Sequence, residues 1–314
     1  MKNAVPPEIT PVILAGGRGM RLRPLTGEGR PKPFLRPLLK YSLLQYTVMR
    51  AAGFFPPVIV CHHTQGQRAL EECLEIGVRP RAIICEPEHR STAAAIGLAA
   101  FFLEGNTGIM AVMPSDHYIK SPRIFRSAVW HGAGVLTETD LLLLGVRPRS
   151  VATRYGYIRV APDRQKVERF IEKPGPAMAR QLAADGQCFW NTGIFLSRSA
   201  RFLGLLQEFS PAIYKVVNTA WAQKTTAGPF VYPAKDPYIN APSISIDYAV
   251  MEHCKNAVLL PLQTEWHDMG CWPSLLGVKL KMAREKILRQ ENHGFTNTQD
   301  FPPRREFKSG VFRR

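Results

Sequence analysis

Residues 12–34 read VILAGGRGMRLRPLTGEGRPKPF, a short apolar run that breaks into three glycines within four residues. The apolar run 12–15 predicts a buried strand that enters a loop. Glycines let a backbone approach a ligand closely, and successive backbone N–H groups can then bind phosphate oxygens. The same stretch contains four arginines, a lysine and three prolines. The stretch therefore indicates a loop that binds a phosphate-bearing ligand.

Two common glycine-rich motifs do not fit this loop. A Walker A loop needs Lys-Ser or Lys-Thr directly after its last glycine, and this chain has none there. The third glycine of the dinucleotide fingerprint GxGxxG is missing from this loop, and arginine follows. A surface loop of solvated arginines is the alternative that the stretch alone leaves open.

Length and composition indicate a large globular α/β domain. The 314 residues are 45% hydrophobic, and no apolar run approaches the roughly 20 residues of a membrane span. The start, MKNAVPPEIT, lacks an apolar signal-peptide core, so we expect a cytoplasmic protein. Six cysteines without a CxxC pair predict reduced thiols rather than a disulfide framework or a zinc site. The net charge of +16 is compatible with binding to polyanions or to phosphorylated small molecules. It could equally serve only to keep the protein in solution.

Alternating strands and helices predict a Rossmann-like α/β fold, with a mainly parallel sheet and helices on both faces. Strands are predicted at 12–15, 57–61, 81–85, 109–113 and 141–146. Helices are predicted at 42–53, 67–74 and 92–105, the last with Ser91 or Thr92 as its cap. Ligands of such sheets bind beyond the carboxyl ends of the strands. The glycine loop and residues 115–117 should therefore lie on one edge.

The second half of the chain has a different pattern of predicted strands and helices. Residues 155–160 and 166–171 predict a hairpin-like insertion facing the substrate, and 192–196 and 257–261 predict further strands that complete the sheet. Helices are predicted at 176–184 and 200–209. We expect one domain over 1–290, with halves 1–150 and 151–290, and a loosely ordered basic tail at 291–314.

The opening stretch resembles the signature GGxGTRLxPLT…KP of sugar-nucleotide pyrophosphorylases. Seven further blocks are similar, in the same order, to blocks of mannose-1-phosphate guanylyltransferases: CEPEHRSTAAAIGLAA, VMPSDHYI, RYGYIRV, FIEKP, CFWNTGIFLSR, SISIDYAVMEH and EWHDMGCWPSL. Together they span about residues 10–280, and nothing resembles the isomerase domain of the long bifunctional members. The resemblance implies the nucleotide-diphospho-sugar transferase type of fold. It also implies a reaction of GTP with mannose 1-phosphate that gives GDP-mannose and pyrophosphate.

This reaction needs cations rather than a side-chain nucleophile, because a phosphate oxygen is already anionic at neutral pH. The resemblance implies that Asp116 and Asp268 hold Mg²⁺, although Asp116 could instead cap a helix. It implies that Arg21 binds the leaving phosphates, that Lys32 neutralises the triphosphate, and that Lys173 pairs with the sugar phosphate. These three are the predicted catalytic residues.

The remaining predicted site residues divide between the two halves. The resemblance assigns nucleotide binding to Ala15, Gly16, Gly17, Gly19, Met20, Arg21, Lys32, Glu86, Arg90, Ser91, Thr92, Ser115 and Asp116. It assigns sugar-phosphate binding to Tyr155, Gly156, Glu172, Lys173, Asn191, Thr192 and Asp247. Asp247 could orient the sugar or a nearby lysine, or cap the helix that follows it. We expect His117 and His267 to support the neighbouring aspartates rather than bind metal.

Several positions depart from the family pattern. Met20 replaces a threonine, Arg23 a tryptophan, Ser91 an asparagine, Ala94 a proline and Cys271 a serine. The changes at Ser91 and Ala94 weaken the inference of strict guanine specificity, and Met20 predicts a slower enzyme.

Three other functions stay open at this point. The chain could use another sugar 1-phosphate or another nucleoside triphosphate, or be a weakly active regulatory homologue that binds nucleotide-sugar. The positive charge suggests a nucleic-acid binder, but the sequence has no recognised module and no aromatics interleaved with its basic runs. We therefore expect two small-molecule substrates, no nucleic acid and no membrane partner, and a homodimer stays open.

Overall fold

The computed structural model describes residues 7–17, 19–27, 29–37, 40–106, 108–137, 141–162 and 166–281. The predicted tail at 291–314 lies outside these residues, as does Arg18 of the opening loop.

The strands in the described part of the chain are numbered in the order in which they occur along the sequence. They are β1 (Ile9–Leu14), β2 (Val58–His62), β3 (Ala82–Glu86), β4 (Ile109–Pro114), β5 (His117–Ile119), β6 (Leu141–Val146), β7 (Tyr157–Val160), β8 (Val167–Ile171), β9 (Cys188–Arg198), β10 (Thr225–Ala227), β11 (Phe230–Tyr232), β12 (Ala257–Pro261) and β13 (Trp266–Asp268).

The described helices lie mostly between these strands. They are α1 (Leu43–Arg50), α2 (Gly66–Glu75), α3 (Ser91–Phe102), α4 (Pro122–Val135), α5 (Pro176–Ala184), α6 (Ser199–Phe209), α7 (Pro211–Ala222) and α8 (Lys235–Tyr238). Short 3₁₀ turns occur at Met20–Leu22, Lys32–Phe34 and His63–Gln65, a π-helix at Asp247–Met251, and a further helix over residues 272–281.

In the described part of the chain, eleven strands form one sheet in the order β10-β11-β3-β2-β1-β4-β9-β6-β12, with β7 on β9 and β8 on β7. The run from β11 through β3, β2 and β1 to β4 is parallel, and β12 is parallel to β6. This confirms the predicted α/β fold with a mostly parallel central sheet. The second half inserts β9 antiparallel between β4 and β6, so the sheet is mixed.

Alternate residues of the central strands enter two different cores. Val12 packs into one core with α3, α6 and α7, whereas Ile13 packs into the other with α1, α2 and α4. Successive side chains of a strand point to opposite faces of the sheet. A continuous apolar run such as IMAVM therefore contributes side chains to both cores. Helices therefore cover both faces of the sheet, as the sequence predicted.

One strand is longer than predicted, one prediction of a hairpin is confirmed, and several elements were missed, two long helices among them. The 192–196 strand extends to Cys188–Arg198, and the predicted hairpin of residues 155–160 and 166–171 is the antiparallel pair β7–β8. The helices α4 and α7 were not predicted. Among the described residues, the six cysteines form no disulfide, and only Cys271 is not buried. No helix of the described segments combines the length and hydropathy that crossing a bilayer requires.

Candidate active site

Three predicted residues converge at the carboxyl edge of the central strands. Asp116 lies just beyond β4, and Asp268 ends β13, which pairs with β5 so that Asp268 lies opposite His117. Lys32 begins the turn Lys32–Phe34. Its Nζ contacts Asp116 Oδ2 and lies 3.8 Å from Asp268 Oδ1. The structure thus joins segments that are far apart in sequence.

Burial and charge together set the ionisation of this cluster. Lys32 is only 6% exposed. Burial alone would raise the pKa of Asp116, but the positive charge of Lys32 outweighs it, with a smaller contribution from His117 when that imidazole is protonated, and holds the pKa below its usual value. Asp116 is therefore an anion at neutral pH, and two carboxylates face one ammonium group.

His117 supports this cluster from the side. Its Nε2 lies 3.8 Å from Asp116 Oδ1, and its Nδ1 accepts a hydrogen bond of 3.3 Å from Trp266 Nε1. Burial lowers the pKa of His117, against the pull of Asp116, which favours the neutral imidazole. His267 instead bonds Glu265 Oε1 at 2.8 Å. The contacts of His117 agree with the supporting role expected for it, whereas the hydrogen bond of His267 goes to Glu265 rather than to an aspartate.

The donor set fits a divalent cation of the Mg²⁺ type. Mg²⁺ prefers oxygen ligands and takes one or two carboxylates together with substrate phosphates and water. Asp116 and Asp268 supply carboxylates that already face a positive charge, the ammonium of Lys32. No group of three or more His, Cys, Asp or Glu side chains within the described ranges could hold a metal by itself. A metal here would thus share its ligands with the substrates.

Gly270 lets Asp268 adopt its position. A Cβ on Gly270 would lie 2.7 Å from Asp268 Oδ1 and 2.8 Å from Oδ2. Any larger residue would force this carboxylate out of its present position.

The glycine loop starts directly after β1. The Ala15 backbone N–H donates to the Val60 carbonyl at 2.7 Å, and a Cβ on Gly17 would meet nothing within 4 Å. Gly19 has φ 67°, a left-handed conformation that favours glycine, and its carbonyl accepts a 2.7 Å hydrogen bond from Thr26 Oγ1. Met20 is 57% exposed, so its side chain does not fill the loop.

Arg21 follows this loop along the chain, and Ser115 contacts the strand that enters it. The exposed Arg21 belongs to the turn Met20–Leu22, where its guanidinium can reach solvent and ligand. Ser115 is buried, its N–H donates to the Leu14 carbonyl at 3.1 Å, and its own carbonyl accepts from Thr47 Oγ1. Ser115 therefore fixes the backbone between the glycine loop and Asp116.

The segment before α3 corrects one prediction. Neither Ser91 nor Thr92 caps this helix, because Arg90 is at the N-cap position and no side chain bonds the first turn. Thr92 Oγ1 instead accepts a 2.8 Å hydrogen bond from the Ile246 N–H. Ser91 has φ 63°, a left-handed conformation that is uncommon outside glycine. The sequence could not show that Thr92 has a distant partner.

Glu86 ends β3 beside the glycine loop. Its Oε2 lies 3.2 Å from the position that a Cβ on Gly16 would take, and its Oε1 accepts a 2.5 Å hydrogen bond from the Tyr238 hydroxyl. Burial raises the pKa of Glu86 to about 7, although the hydrogen bond from Tyr238 acts to lower it. Tyr238 was not a predicted site residue.

A second cluster gathers the predicted sugar-binding residues. Lys173 Nζ pairs with Glu172 Oε1 at 2.5 Å, just beyond β8. Asn191 Nδ2 donates to Asp247 Oδ1 at 3.0 Å, and burial together with the charge of Glu172 raises the pKa of Asp247 to about 6. A Cβ on Gly156 would lie 2.5 Å from Glu172 Oε2, so this glycine makes room for the carboxylate. These polar groups could accept and donate hydrogen bonds to sugar hydroxyls.

Three predictions for this cluster can be judged from contacts. Asp247 does not cap the π-helix that it begins. Thr192 is 1% exposed and donates its hydroxyl to the Leu144 carbonyl at 2.6 Å, so its position does not support a sugar contact. Tyr155 is buried, and its ring packs against Trp190 and Trp266 with centroids 5.1 and 5.0 Å away. The ring of Tyr155 is therefore part of the hydrophobic core.

Arg50 is a buried residue that the sequence reasoning missed. Its NH1 donates to the His117 carbonyl at 2.8 Å and its NH2 to Thr47 Oγ1 at 3.3 Å. Burial lowers its pKa to about 10, opposed by the charge of Asp116. It anchors the backbone next to Asp116. Its place in α1 gave no sign of this, because arginine at the end of a helix is usually solvated.

The sequence matches one protein family over most of its length. The profile described as "Nucleotidyl transferase" matches residues 10–285. The "Xanthan biosynthesis protein XanB" of Xanthomonas campestris pv. campestris is 40% identical over 277 residues, which is 86% of this chain and 59% of that protein. The "Mannose-1-phosphate guanylyltransferase RfbM" of Salmonella typhimurium is 37% identical over 289 residues, covering 89% and 60%. The chain thus spans about three fifths of the length of these curated relatives.

Solved structures share the fold. The structure described as mannose-1-phosphate geranyltransferase from Thermus thermophilus has a TM-score of 0.73 at 30% identity and covers 84% of this chain and 77% of its own. The structure described as mannose-6-phosphate isomerase from Helicobacter pylori has a TM-score of 0.74 at 26% identity, covering 83% and 100%.

Proposed function

The chain belongs to the nucleotidyl transferase family, and we propose that it transfers a guanylyl group from GTP to mannose 1-phosphate, giving GDP-mannose and pyrophosphate. The names of several relatives support the two substrates. The observation that carries the proposal is the meeting of Lys32, Asp116 and Asp268 beside a glycine loop.

The reaction exchanges one phosphorus–oxygen bond for another. A sugar-phosphate oxygen attacks the α-phosphorus of GTP, a new P–O bond forms, and the bond to the β-phosphate oxygen breaks so that pyrophosphate leaves with the electron pair. The attacking oxygen is already anionic, so the step needs alignment and charge neutralisation rather than a general base.

The residues of the first cluster act on the triphosphate. The backbone of residues 15–19 and the cations Arg21 and Lys32 stabilise its negative charge. Asp116 and Asp268 would hold Mg²⁺, which when bound supplies positive charge to the phosphate oxygens. Arg50, buried against the backbone of His117, keeps this edge rigid.

The residues of the second cluster act on the sugar phosphate. Lys173 pairs with the attacking phosphate, while Glu172, Asn191 and Asp247 bind hydroxyl groups of the sugar. β9 supports the alignment of the two reactants: it carries Asn191, and a Cβ on its Gly193 would lie 3.4 Å from Pro114, close to Asp116. Asp116 and Asn191, one from each cluster, are thus positioned by the neighbouring strands β4 and β9 of one sheet.

Pyrophosphate release tests this function. Purified protein is assayed with GTP, ATP, dGTP, UTP and dTTP, each paired with mannose 1-phosphate or glucose 1-phosphate, with Mg²⁺ or with chelator. We expect GTP with mannose 1-phosphate to be the best pair, with measurable use of ATP or dGTP and no turnover in chelator. A pyrimidine triphosphate or another sugar as the best substrate would replace the substrates proposed here, and binding without turnover would indicate a regulatory nucleotide-sugar-binding protein.

Two variants test the carboxylates in the same assay. Asp116→Asn and Asp268→Asn keep the side-chain shape but remove the charge, and we expect each to lose on the order of 10²-fold or more in rate. Asp236→Asn, an exposed position in α8, is the matched control and should keep full activity. Full activity in either active-site variant would contradict the proposed role.

A further inference from the structure

Glu86 and Tyr238 form a buried pair at the edge of the proposed nucleotide site. Glu86 is 4% exposed and ends β3, while Tyr238 is fully buried and reaches it from α8. The Tyr238 hydroxyl donates a hydrogen bond to this carboxyl group. Oε1 is thereby held, and Oε2 lies toward Gly16 of the glycine loop.

The position of Glu86 favours contact with the nucleobase rather than the phosphates. The glycine loop and the cations attract phosphates, whereas a carboxylate repels them. In the sheet order β3-β2-β1-β4, Glu86 on β3 lies three strand spacings from β4, roughly 14 Å, and thus far from Asp116. A nucleotide with its triphosphate between β1 and β4 would extend its base toward β3.

We propose that Tyr238 is a positioning residue that sets the choice of purine by orienting Glu86 toward the base. This inference rests on the proposed function. An ionised Glu86 accepts hydrogen bonds from N1–H and the N2 amino group of guanine. A protonated Glu86 donates to N1 of adenine and accepts from its N6 amino group. The hydroxyl of Tyr238 donates to the carboxylate and so favours the ionised form that pairs with guanine.

Several other titratable groups surround this pair. His62 lies opposite Glu86 in the β2–β3 register, and His89 stacks on His62 with centroids 4.5 Å apart. Cys61 and Arg90 interact electrostatically with Glu86 and Tyr238, respectively. A pH-dependent rate alone would not identify Glu86 among these groups. The ratio of GTP to ATP use is more specific, because effects on steps common to both nucleotides cancel.

The direction of the pH effect follows from the pKa of Glu86, which is about 7. Above this pH the carboxylate dominates, so the ratio of kcat/KM for GTP to that for ATP should rise as pH increases through 7. Without the Tyr238 hydroxyl, the pKa of Glu86 rises further. The ratio of kcat/KM for GTP to that for ATP should then rise at a higher pH.

The experiment measures kcat/KM for GTP and for ATP with mannose 1-phosphate between pH 6 and pH 9. Wild type is compared with Tyr238→Phe, Glu86→Gln and the double variant. Tyr157→Phe is the control, because Tyr157 is equally buried and its hydroxyl bonds the Ala152 N–H, away from Glu86. Phenylalanine keeps the ring in each case.

We expect Tyr238→Phe to lower the GTP-to-ATP ratio at pH 7 about tenfold and to move the rise of the ratio to higher pH. Glu86→Gln should favour ATP at every pH, because an amide can donate to N1 and accept from N6 of adenine. In that background, Tyr238→Phe should have no further effect on the pH profile. Tyr157→Phe should match wild type.

If the GTP-to-ATP ratio of kcat/KM in Tyr238→Phe followed the wild-type pH profile, the inference would be overturned while the proposed function stayed intact. A change of equal size in GTP and ATP use would also overturn it, because that result would indicate a structural role alone. Absence of turnover by wild type with every substrate pair would instead contradict the proposed function.

Discussion

Lys32 contacts two carboxylates that the proposed reaction uses, and the sum of the three charges is negative. Asp116 and Asp268 together contribute two negative charges against one ammonium group. The cluster therefore keeps an attraction for a further cation even with Lys32 in place. A nucleotide triphosphate, which carries several negative charges, would find Lys32 and a bound cation on the same edge.

Ser91 is a second position, besides Glu86 and Tyr238, at which we expect a substitution to change base specificity. Its φ of 63° suits asparagine better than most side chains. The amide of asparagine is longer than a serine hydroxyl and can both donate and accept, so Ser91→Asn should increase the preference for GTP over ATP several-fold. Competition assays with equal GTP and ATP measure the ratio, and Ser150→Asn at an exposed position is the control. An unchanged or lower ratio would contradict this prediction.

Asp247 should reduce stability at neutral pH. Its pKa is raised from 3.8 to about 6, because burial and Glu172 disfavour the charged form. As pH rises from about 4 to 6, the unfolded chain loses this proton before the folded chain does, so the free energy of unfolding falls. Asp247→Asn should therefore be more stable than wild type at pH 8, on the order of 2 kcal/mol, and similar at pH 4.

Denaturant unfolding at both pH values checks this prediction, with the exposed Asp236→Asn as the control. A stability gain for Asp247→Asn that is no larger at pH 8 than at pH 4 would show that Asp247 is not destabilising when ionised. Turnover by the variant should fall, since Asp247 accepts the hydrogen bond from Asn191 beside the proposed sugar site.

For single residues, the sequence could predict positions that depend on the local strand pattern. It could not predict contacts between segments that are distant in the sequence. Asp116 follows a predicted strand, so the strand pattern placed it at the same edge as the glycine loop. Asp268, Glu172 and Lys173 were identified only through the resemblance to the family. Thr92 bonds Ile246 across the fold. Tyr238 reaches Glu86 from a helix that lies 152 residues further along the chain. No local pattern reveals such contacts.

Among elements, the turn between β13 and the helix at 272–281 determines where Asp268 lies. Gly270→Ala would bring a Cβ within 2.7 Å of Asp268 Oδ1, and the short side chain of Asp268 must then rotate away from Lys32. Because only a side-chain end has to move, we expect a rate loss of about 10²-fold with little change in stability. Kinetic assays and thermal unfolding of the same preparation measure both quantities.

Gly277→Ala provides the matched control in the adjacent helix. A Cβ there would meet nothing within 4 Å. Alanine in a helix is favoured over glycine by up to about 1 kcal/mol, so this variant should be active and slightly more stable. If Gly270→Ala were as active as Gly277→Ala, the position of Asp268 would not depend on this turn.

The strands of the first half were predictable as elements because they are continuous apolar runs buried on both faces. β1 to β4 and β6 match the predicted segments within a few residues. The direction of β9 was not predictable, since a buried apolar run has the same composition in either direction. The helix α4 was missed because its polar residues, such as Arg123 and Arg126, masked the apolar positions that α4 buries.

For the whole molecule, the two clusters predict a division of labour. Lys173 pairs with Glu172 beyond β8, whereas Lys32 pairs with Asp116 beyond β4. Lys173→Ala should raise the KM for the sugar phosphate while GTP alone still binds. Lys32→Ala should mainly lower kcat, because its charge acts on the triphosphate during transfer; each loss should be on the order of 10²-fold.

Calorimetry with GTP in the absence of sugar, combined with steady-state kinetics, separates these effects. Loss of GTP binding in Lys173→Ala would mean that this lysine serves the nucleotide, and an unchanged kcat in Lys32→Ala would remove it from the chemical step. Arg169→Ala, an exposed cation on β8, is a suitable control for the charge of that half.

The insertion of β9 between β4 and β6 has a consequence for folding of the protein during its synthesis on the ribosome. β6 ends at Val146, and its neighbour β9 begins only at Cys188. At roughly 5–20 residues per second, several seconds pass before the missing strand emerges. During that time the apolar edges of two nascent strands have no partner, which is the condition under which emerging chains bind chaperones or aggregate. Translation speed between these two strands therefore becomes a determinant of the yield of native protein.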